Sequence, residues 1–207
     1  MAFHLRFNAS EVPFWAERYV TVSEAADPQW EAEIERRFAP AAKARRYLKR
    51  REFQAICCWK SPRPKQLYAE NSDGFVEAVT LTALSTPSEQ LRIQVLTLLS
   101  GVGWPVASAI LHWTHRKSYP ILDFRALWSL GWSQNPDKPG FIYDFDDWPP
   151  AEERSPFVYD LDHWWAYTLY CRRLRQEAGV AMRDLDRALW QYARENMPRT
   201  LRGITSK

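Results

Sequence analysis

The residues best suited to chemistry lie in the middle of the chain. Gly101-Val102-Gly103 joins two apolar-striped stretches, Leu96 to Ser100 and Trp104 to Leu111, through a turn too short for ordinary loop residues. Glycine at 101 and 103 allows positive φ and lets the backbone come close to a ligand, while Val102 can plug between two helices. The second helix opens at once. Its first N–H groups and the positive end of its dipole therefore point toward whatever occupies the turn, an arrangement that suits a phosphate. Asp123 follows 20 residues after Gly103, in Tyr119-Pro-Ile-Leu-Asp-Phe-Arg. A carboxylate fixed there can stabilise positive charge that develops on a bound ligand and can orient a water. Both features also have plain readings, the turn as a glycine C-cap between packed helices and Asp123 as a helix N-cap.

Other side chains are candidates for the pocket or for backbone contacts. Trp104 directly follows the hairpin. Trp59 stands beside basic residues and could stack on a nucleic-acid base, a contact worth roughly 1–3 kcal/mol, or take its default place in the core. Lys60 and Arg63 are candidate contacts of the same basic stretch, with a surface role the plain reading for Lys60, and Arg125 is a candidate phosphate ligand or a partner for a carboxylate. Lys43, Arg45, Arg46, Lys49, Arg50, Arg51, Lys60, Arg63 and Lys65 fall in one stretch although the formal net charge is only +3. That clustering is the electrostatic footprint of a polyanion site, or a solvated helix face. His112 and His115 lack a third ligand nearby, and Asp144, Asp146 and Asp147 lack the calcium-loop pattern, so no metal site is expected. Arg183-Asp-Leu-Asp-Arg187 reads as a local salt-bridge network.

The elements that must position these residues are helical. Glycine is scarce, with 7 in 207 residues, and the periodicity between prolines is helical, so the fold class is all-α. Helices are expected over about 28–38, 47–60, 71–84, 87–100, 104–115, 123–130, 160–178 and 182–196. Asn71 or Ser72 would cap the third, and Thr86 the fourth, with Glu89 completing a capping box. Residues 133–156, rich in Asn, Asp, Pro and aromatics, read as an ordered loop. The composition, 46% hydrophobic and 26% charged, is that of a globular protein. No run is long and apolar enough to span a bilayer, and the first ten residues do not read as a signal peptide, which points to a cytoplasmic protein without a membrane partner. Three cysteines, two of them adjacent, suit buried thiols better than a disulfide framework. Most of the eleven tryptophans are expected in the core.

Leu99-Ser-Gly-Val-Gly-Trp-Pro-Val-Ala-Ser-Ala-Ile-Leu111, followed by Tyr119-Pro-Ile-Leu-Asp-Phe-Arg-Ala-Leu127, resembles the signature of the helix-hairpin-helix DNA glycosylases, which include endonuclease III, the adenine glycosylases and the oxoguanine glycosylases. The resemblance covers Leu96 to Leu130. It implies a two-lobed helical fold with a central cleft, one lobe about 65–132 and the other 1–64 with 157–207. It further implies DNA as partner, a monomer, a backbone grip by Gly101, Val102, Gly103 and Trp104, and Asp123 as the catalytic carboxylate. Bifunctional members carry a lysine two residues after the second hairpin glycine. Pro105 stands there in this chain, which implies base removal without strand cleavage unless Lys60 substitutes. The four-cysteine tail of some members is absent, so no iron–sulfur cluster is implied, and a monovalent cation at the hairpin stays open. A DNA-binding protein that kept the hairpin and lost catalysis is the alternative, and a helical protein-interaction domain a third reading.

Overall fold

The structure is a computed structural model that describes residues 3–22, 28–115, 117–133, 140–141 and 160–197. In chain order its helices are α1 (Val12–Val22), α2 (Pro28–Glu33), α3 (Ala39–Arg45), α4 (Arg50–Lys60), α5 (Lys65–Glu70), α6 (Asp73–Ser85), α7 (Glu89–Leu96), α8 (Trp104–Thr114), α9 (Phe124–Ser129), α10 (Leu161–Glu177) and α11 (Met182–Asn196). A 3-10 turn, Ala9–Glu11, precedes α1, and a π segment, Ile34–Phe38, connects α2 to α3. Two strands of two residues, β1 (Trp132–Ser133) and β2 (Gly140–Phe141), pair antiparallel with Trp132 opposite Phe141. The fold class is thus all-α apart from this short ladder. Among the described residues no helix is long and apolar enough to cross a membrane. The acidic loop residues Asp144, Asp146 and Asp147, and most of 133–156, lie outside the described residues.

The chain divides into two compact units, Ala26–Leu122 and Met1–Ala25 with Asp123–Lys207. Residues 26–64 therefore group with the hairpin segment, and not with the C-terminal helices as the resemblance implies. The reason lies in α8. Val106, Ala107, Ala109, Ile110, Leu111 and Trp113 are all buried, so this helix is apolar nearly all round and needs cover on several sides. Helices α3, α4 and α7 supply it. Phe53, Ala55, Ile56 and Cys57 form the buried face of α4, and the basic side chains of that helix are carried on its remaining faces.

A buried polar network fixes α7 in the same unit. Arg92, 3% exposed, donates to the Ala83 carbonyl (2.8 Å) and the Thr86 carbonyl, and pairs with Glu89 (3.1 Å). Glu89 also accepts from Lys117 (3.1 Å) and the Tyr119 hydroxyl. Glu89 is thus the centre of this network, not the closing member of a capping box. The helix starts later than expected, too: Ser88 caps α7 by accepting from Leu91 N, and Thr86 Oγ1 instead accepts from Ser88 N. Ser72 caps α6, as one of the two expected candidates. On α6 the buried face is Val76, Val79, Thr80, Ala83 and Leu84, whereas Phe75 and Leu81 point outward.

In the other unit, α11 packs against α1 and α9. Trp128, Ala193 and Met197 are buried there, with Phe124 and Tyr192 against them. The N-terminal segment runs along the end of α9. His4 and Arg6 donate backbone N–H bonds to Leu130 and Ser129, and the Arg6 side chain donates to the Trp128 carbonyl at 2.6 Å. Ser129 Oγ donates to the Leu189 carbonyl (2.7 Å).

Candidate functional site

The hairpin is built from one required glycine and one bare one. Gly101 has φ +82°, and a Cβ there would lie 2.9 Å from two ring carbons of Tyr68 and 3.0 Å from Leu67 Cβ. The Tyr68 ring cannot yield easily. It is fully buried, stands edge-on to Phe53 with centroids 6.1 Å apart, and donates its hydroxyl to the Ser61 carbonyl at 3.1 Å. Gly103 differs from the expectation of positive φ: it is extended, at φ −93° and ψ 178°, with Pro105 Cδ 3.9 Å from an added Cβ as its nearest neighbour. Its lack of a side chain therefore serves to leave exposed backbone uncovered. Val102 is buried, as a plug should be, and its N–H donates to the Leu99 carbonyl at 3.0 Å.

Asn71, which the sequence suggests only as a helix cap, clamps this turn. Its Oδ1 accepts from Ser100 N (2.8 Å), and the two Nδ2 hydrogens are shared among the carbonyls of Ser100 (3.1 Å), Leu67 and Tyr68 (both 3.2 Å). The residue is 3% exposed, so these bonds replace water that it cannot reach. Its partner lies 29 positions away, and no local pattern announces it.

Gly103 is the N-cap of α8, and no side-chain hydrogen bond caps that helix. Trp104, half-buried, is its first residue, and Pro105 fits the first turn because a proline N–H is not needed there. Four residues into the helix, the buried Ser108 donates to the Pro105 carbonyl and accepts from Leu122 N, both at 2.8 Å. This bond fixes the residue immediately before Asp123. The sequence shows only a small residue at 108, since a serine's partner 14 positions on leaves no periodic trace.

Asp123 opens the second unit. It is the N-cap of α9, extended at φ −144° and ψ 140°, with Oδ1 accepting from Arg125 N at 2.9 Å. The side chain is half-buried, not sealed in the interior. The helix it caps is held firmly, since Ala126, Leu127, Trp128 and Ser129 are all buried. Its charge is felt by the fully buried Tyr167, whose hydroxyl is held protonated chiefly by burial, then by Cys171 and Asp186, and also by Asp123.

Arg125 lies over the rings of Phe124 (4.7 Å) and Trp190 (5.4 Å) in that same unit. Trp59 and Lys60 are half-buried at the end of α4, and Trp59 meets Trp113 edge-on at 5.4 Å. Arg63 is exposed on the loop that Tyr68 ties to the hairpin through Ser61. The basic stretch is partly neutralised locally: Arg45 pairs with Glu52 (2.5 Å), Arg51 with Glu33 (3.4 Å) and Arg50 with Asp73 (3.5 Å). Lys43, Arg46, Lys49, Arg63 and Lys65 remain exposed.

His112 on α8 and His115, the extended C-cap that follows it, have local roles. His112 Nδ1 is 2.7 Å from the Tyr119 carbonyl. His115 stands between Arg92 (2.7 Å from Nε2) and Lys117 N–H (2.9 Å from Nδ1), and burial together with the Arg92 charge pushes its pKa down to about 4. No group of three His, Cys, Asp or Glu that could hold a metal ion occurs among the described residues. No family model, no curated protein and no solved structure matches this chain.

Proposed function

We propose that this protein is a monofunctional DNA N-glycosylase of the helix-hairpin-helix kind, removing a damaged or modified base. The observation that carries the reading is the hairpin. A buried tyrosine ring and an asparagine clamp hold Gly101 in a left-handed turn, which presents exposed Gly103 and the uncapped start of α8. Backbone N–H groups in that position suit a DNA phosphate. Asp123 supplies the chemistry. When a flipped nucleotide loses its base, the electrons of the glycosidic bond leave with the base and positive charge gathers on the sugar. A carboxylate with one oxygen anchored to Arg125 N keeps its orientation while stabilising that charge. Water then adds to the sugar carbon, and the proton it sheds balances the electron pair that left with the base, giving the free protonated base and a sugar hydroxyl. Pro105 has no amine to form a Schiff base, so the product is an intact abasic site.

A substitution pair tests this reading. Asparagine caps helices as well as aspartate, so Asp123→Asn keeps the anchor to Arg125 N and removes only the charge. Asp123→Ala removes both and should cost about 1 kcal/mol of stability in addition. With DNAs carrying varied lesions or modified bases, followed by alkali to cleave abasic sites, the wild type should release a base. Both variants should lose release by about 100-fold or more. Because capping alone accounts for the Asp123 geometry, a second reading is a DNA-binding protein without catalysis. Asp123→Asn that binds DNA normally, with no base release by the wild type across the panel, would establish that alternative.

A further inference from the structure

Two exposed cations of the basic stretch stand where local structure disfavours them. Arg46 ends α3 in the left-handed conformation, at φ 66° and ψ 25°, with its N–H bonded to the Ala42 carbonyl at 2.8 Å. No other non-glycine residue among the described ones has a positive φ. Helices that end this way ordinarily carry glycine or asparagine at that point, because other side chains are strained there. Lys49, three residues on, is the N-cap of α4. That position favours Ser, Thr, Asp or Asn, and the positive end of the helix dipole disfavours an ammonium group. Lys43, on the last turn of α3, sits at a helix end that suits a cation and adds a third exposed charge.

No ion pair within the chain accounts for these choices. From residue 33 to residue 52 cations outnumber carboxylates eight to three. Of the three, Glu52 holds Arg45 (2.5 Å) and the Lys49 backbone N–H (2.9 Å), Glu33 holds Arg37 and Arg51 (both 3.4 Å), and Glu35 is exposed. On the neighbouring helices, Asp73 faces Arg50 at 3.5 Å, Glu70 and Glu77 are exposed, and Glu31 is buried. Among the described residues none of these carboxylates forms an ion pair with Lys43, Arg46 or Lys49. The corner itself is firmly held. Ala42 and Leu48 are fully buried, Leu48 N donates to the buried Thr80 Oγ1 at 2.9 Å, and α3 and α4 both pack on α8, the helix that the hairpin opens. A fixed backbone lowers the ordering cost when its side chains bind a ligand. Residues that break a local rule without a gain in packing mark functional places, and here both rule-breakers carry the same charge.

We infer that Lys43, Arg46 and Lys49 form a second DNA-backbone site, on the α3–α4 corner of the unit that carries the hairpin, which holds phosphates without reading sequence. The inference rests on DNA being the substrate, but on none of the geometry of Gly101, Gly103 or Asp123.

The strain at Arg46 supplies the test. Glycine relieves it, so Arg46→Gly should melt at or above the wild-type temperature and yet bind a fluorescent 20-base-pair duplex less tightly. Losing one phosphate contact lowers the salt slope by about 0.9, so a fourfold rise in salt should weaken this variant about 3.5-fold less than the wild type. For Lys43→Gln/Arg46→Gly/Lys49→Gln the difference should reach about 40-fold, with any duplex sequence. Arg46→Lys keeps the charge without the planar fork, and should hold the slope with weaker affinity. An Arg46→Gly protein that melts below the wild type shows a structural role for the arginine and overturns the assignment. Unchanged slopes in both glycine variants, while the wild type binds, overturn this surface and leave the hairpin reading standing. Corner-dependent binding without release of any base from the lesion panel leaves the surface standing and removes the catalytic reading. Absence of any DNA binding by the wild type at low salt overturns both. Competition by polyglutamate as effective as by DNA overturns the surface in favour of a general acidic-polymer site.

Discussion

Replacing Gly101 and Gly103 separately by alanine should separate the architecture of the hairpin from its use. At Gly101 two costs combine. An L-residue forced into the left-handed region costs roughly 1–2 kcal/mol, and the new methyl would stand 2.9 Å from the buried Tyr68 ring, an overpacking that costs typically about 1–3 kcal/mol. The ring can retreat only by loosening its contact with Phe53 and its bond to Ser61, so Gly101→Ala should lose about 2–5 kcal/mol. Domains of roughly this size shift by about 2–4 °C per kcal/mol, which makes the drop readily visible in a thermal melt. Gly103→Ala meets nothing closer than 3.9 Å and needs no special φ. Its melting temperature should match the wild type or rise slightly, because alanine narrows the unfolded ensemble. Its DNA affinity should nevertheless fall, since the methyl stands where backbone is to meet phosphate. A Gly101→Ala protein that melts with the wild type would refute the turn geometry, and a Gly103→Ala protein that binds DNA unchanged would refute the phosphate grip.

Three further outcomes are expected. Ser108→Ala leaves the buried Leu122 N–H without its acceptor and should destabilise the protein by about 1–3 kcal/mol, measured by urea denaturation; an unchanged midpoint would show the bond to be dispensable. Acid should weaken the Ala26–Leu122 unit. The unfolded chain protonates His115 near its ordinary value of 6.5 while the folded chain resists to about 4, so stability present above pH 6.5 is progressively lost down to pH 4. Burial raises the Glu89 pKa, but the bonds from Tyr119, Lys117 and Arg92 together hold it below its ordinary value, so its contribution fades as the pH falls through that lowered value. A urea midpoint that stays level from pH 7 to pH 4.5 would contradict the His115 environment. Finally, borohydride added during turnover should trap no covalent protein–DNA adduct in wild type or Lys60→Ala; an adduct that disappears on Lys60→Ala would restore the lyase role that Pro105 argues against.

Where a helix is long and its apolar spacing regular, the sequence reveals it. Helices α4, α6, α8, α10 and α11 are legible for that reason, and α9 through the cap at Asp123. Helix α5 has six residues, too few for a period to show, and α1 carries Pro13 in its first turn, which hides it. The π segment replaces the ordinary repeat just where the first helix is expected to end. At the candidate site, Gly101 and Asp123 can be singled out because backbone geometry restricts residue choice at a tight turn and at a cap. The clamp from Asn71 and the Ser108 bond to Leu122 join residues far apart in sequence. Such partners are chosen by tertiary packing, and local patterns do not encode them.

The partnership of α1 with α11 also constrains how the molecule is made. About 160 residues separate the two helices, so at roughly 5–20 residues per second the ribosome needs on the order of 10–30 s to deliver the second after the first. During that interval the whole Ala26–Leu122 unit emerges and can complete its own contacts, while α1 waits with Val12 and Ala16, which the finished fold buries, still uncovered. Nascent chains halted before residue 182 should therefore hold a protease-resistant middle between two cleavable arms.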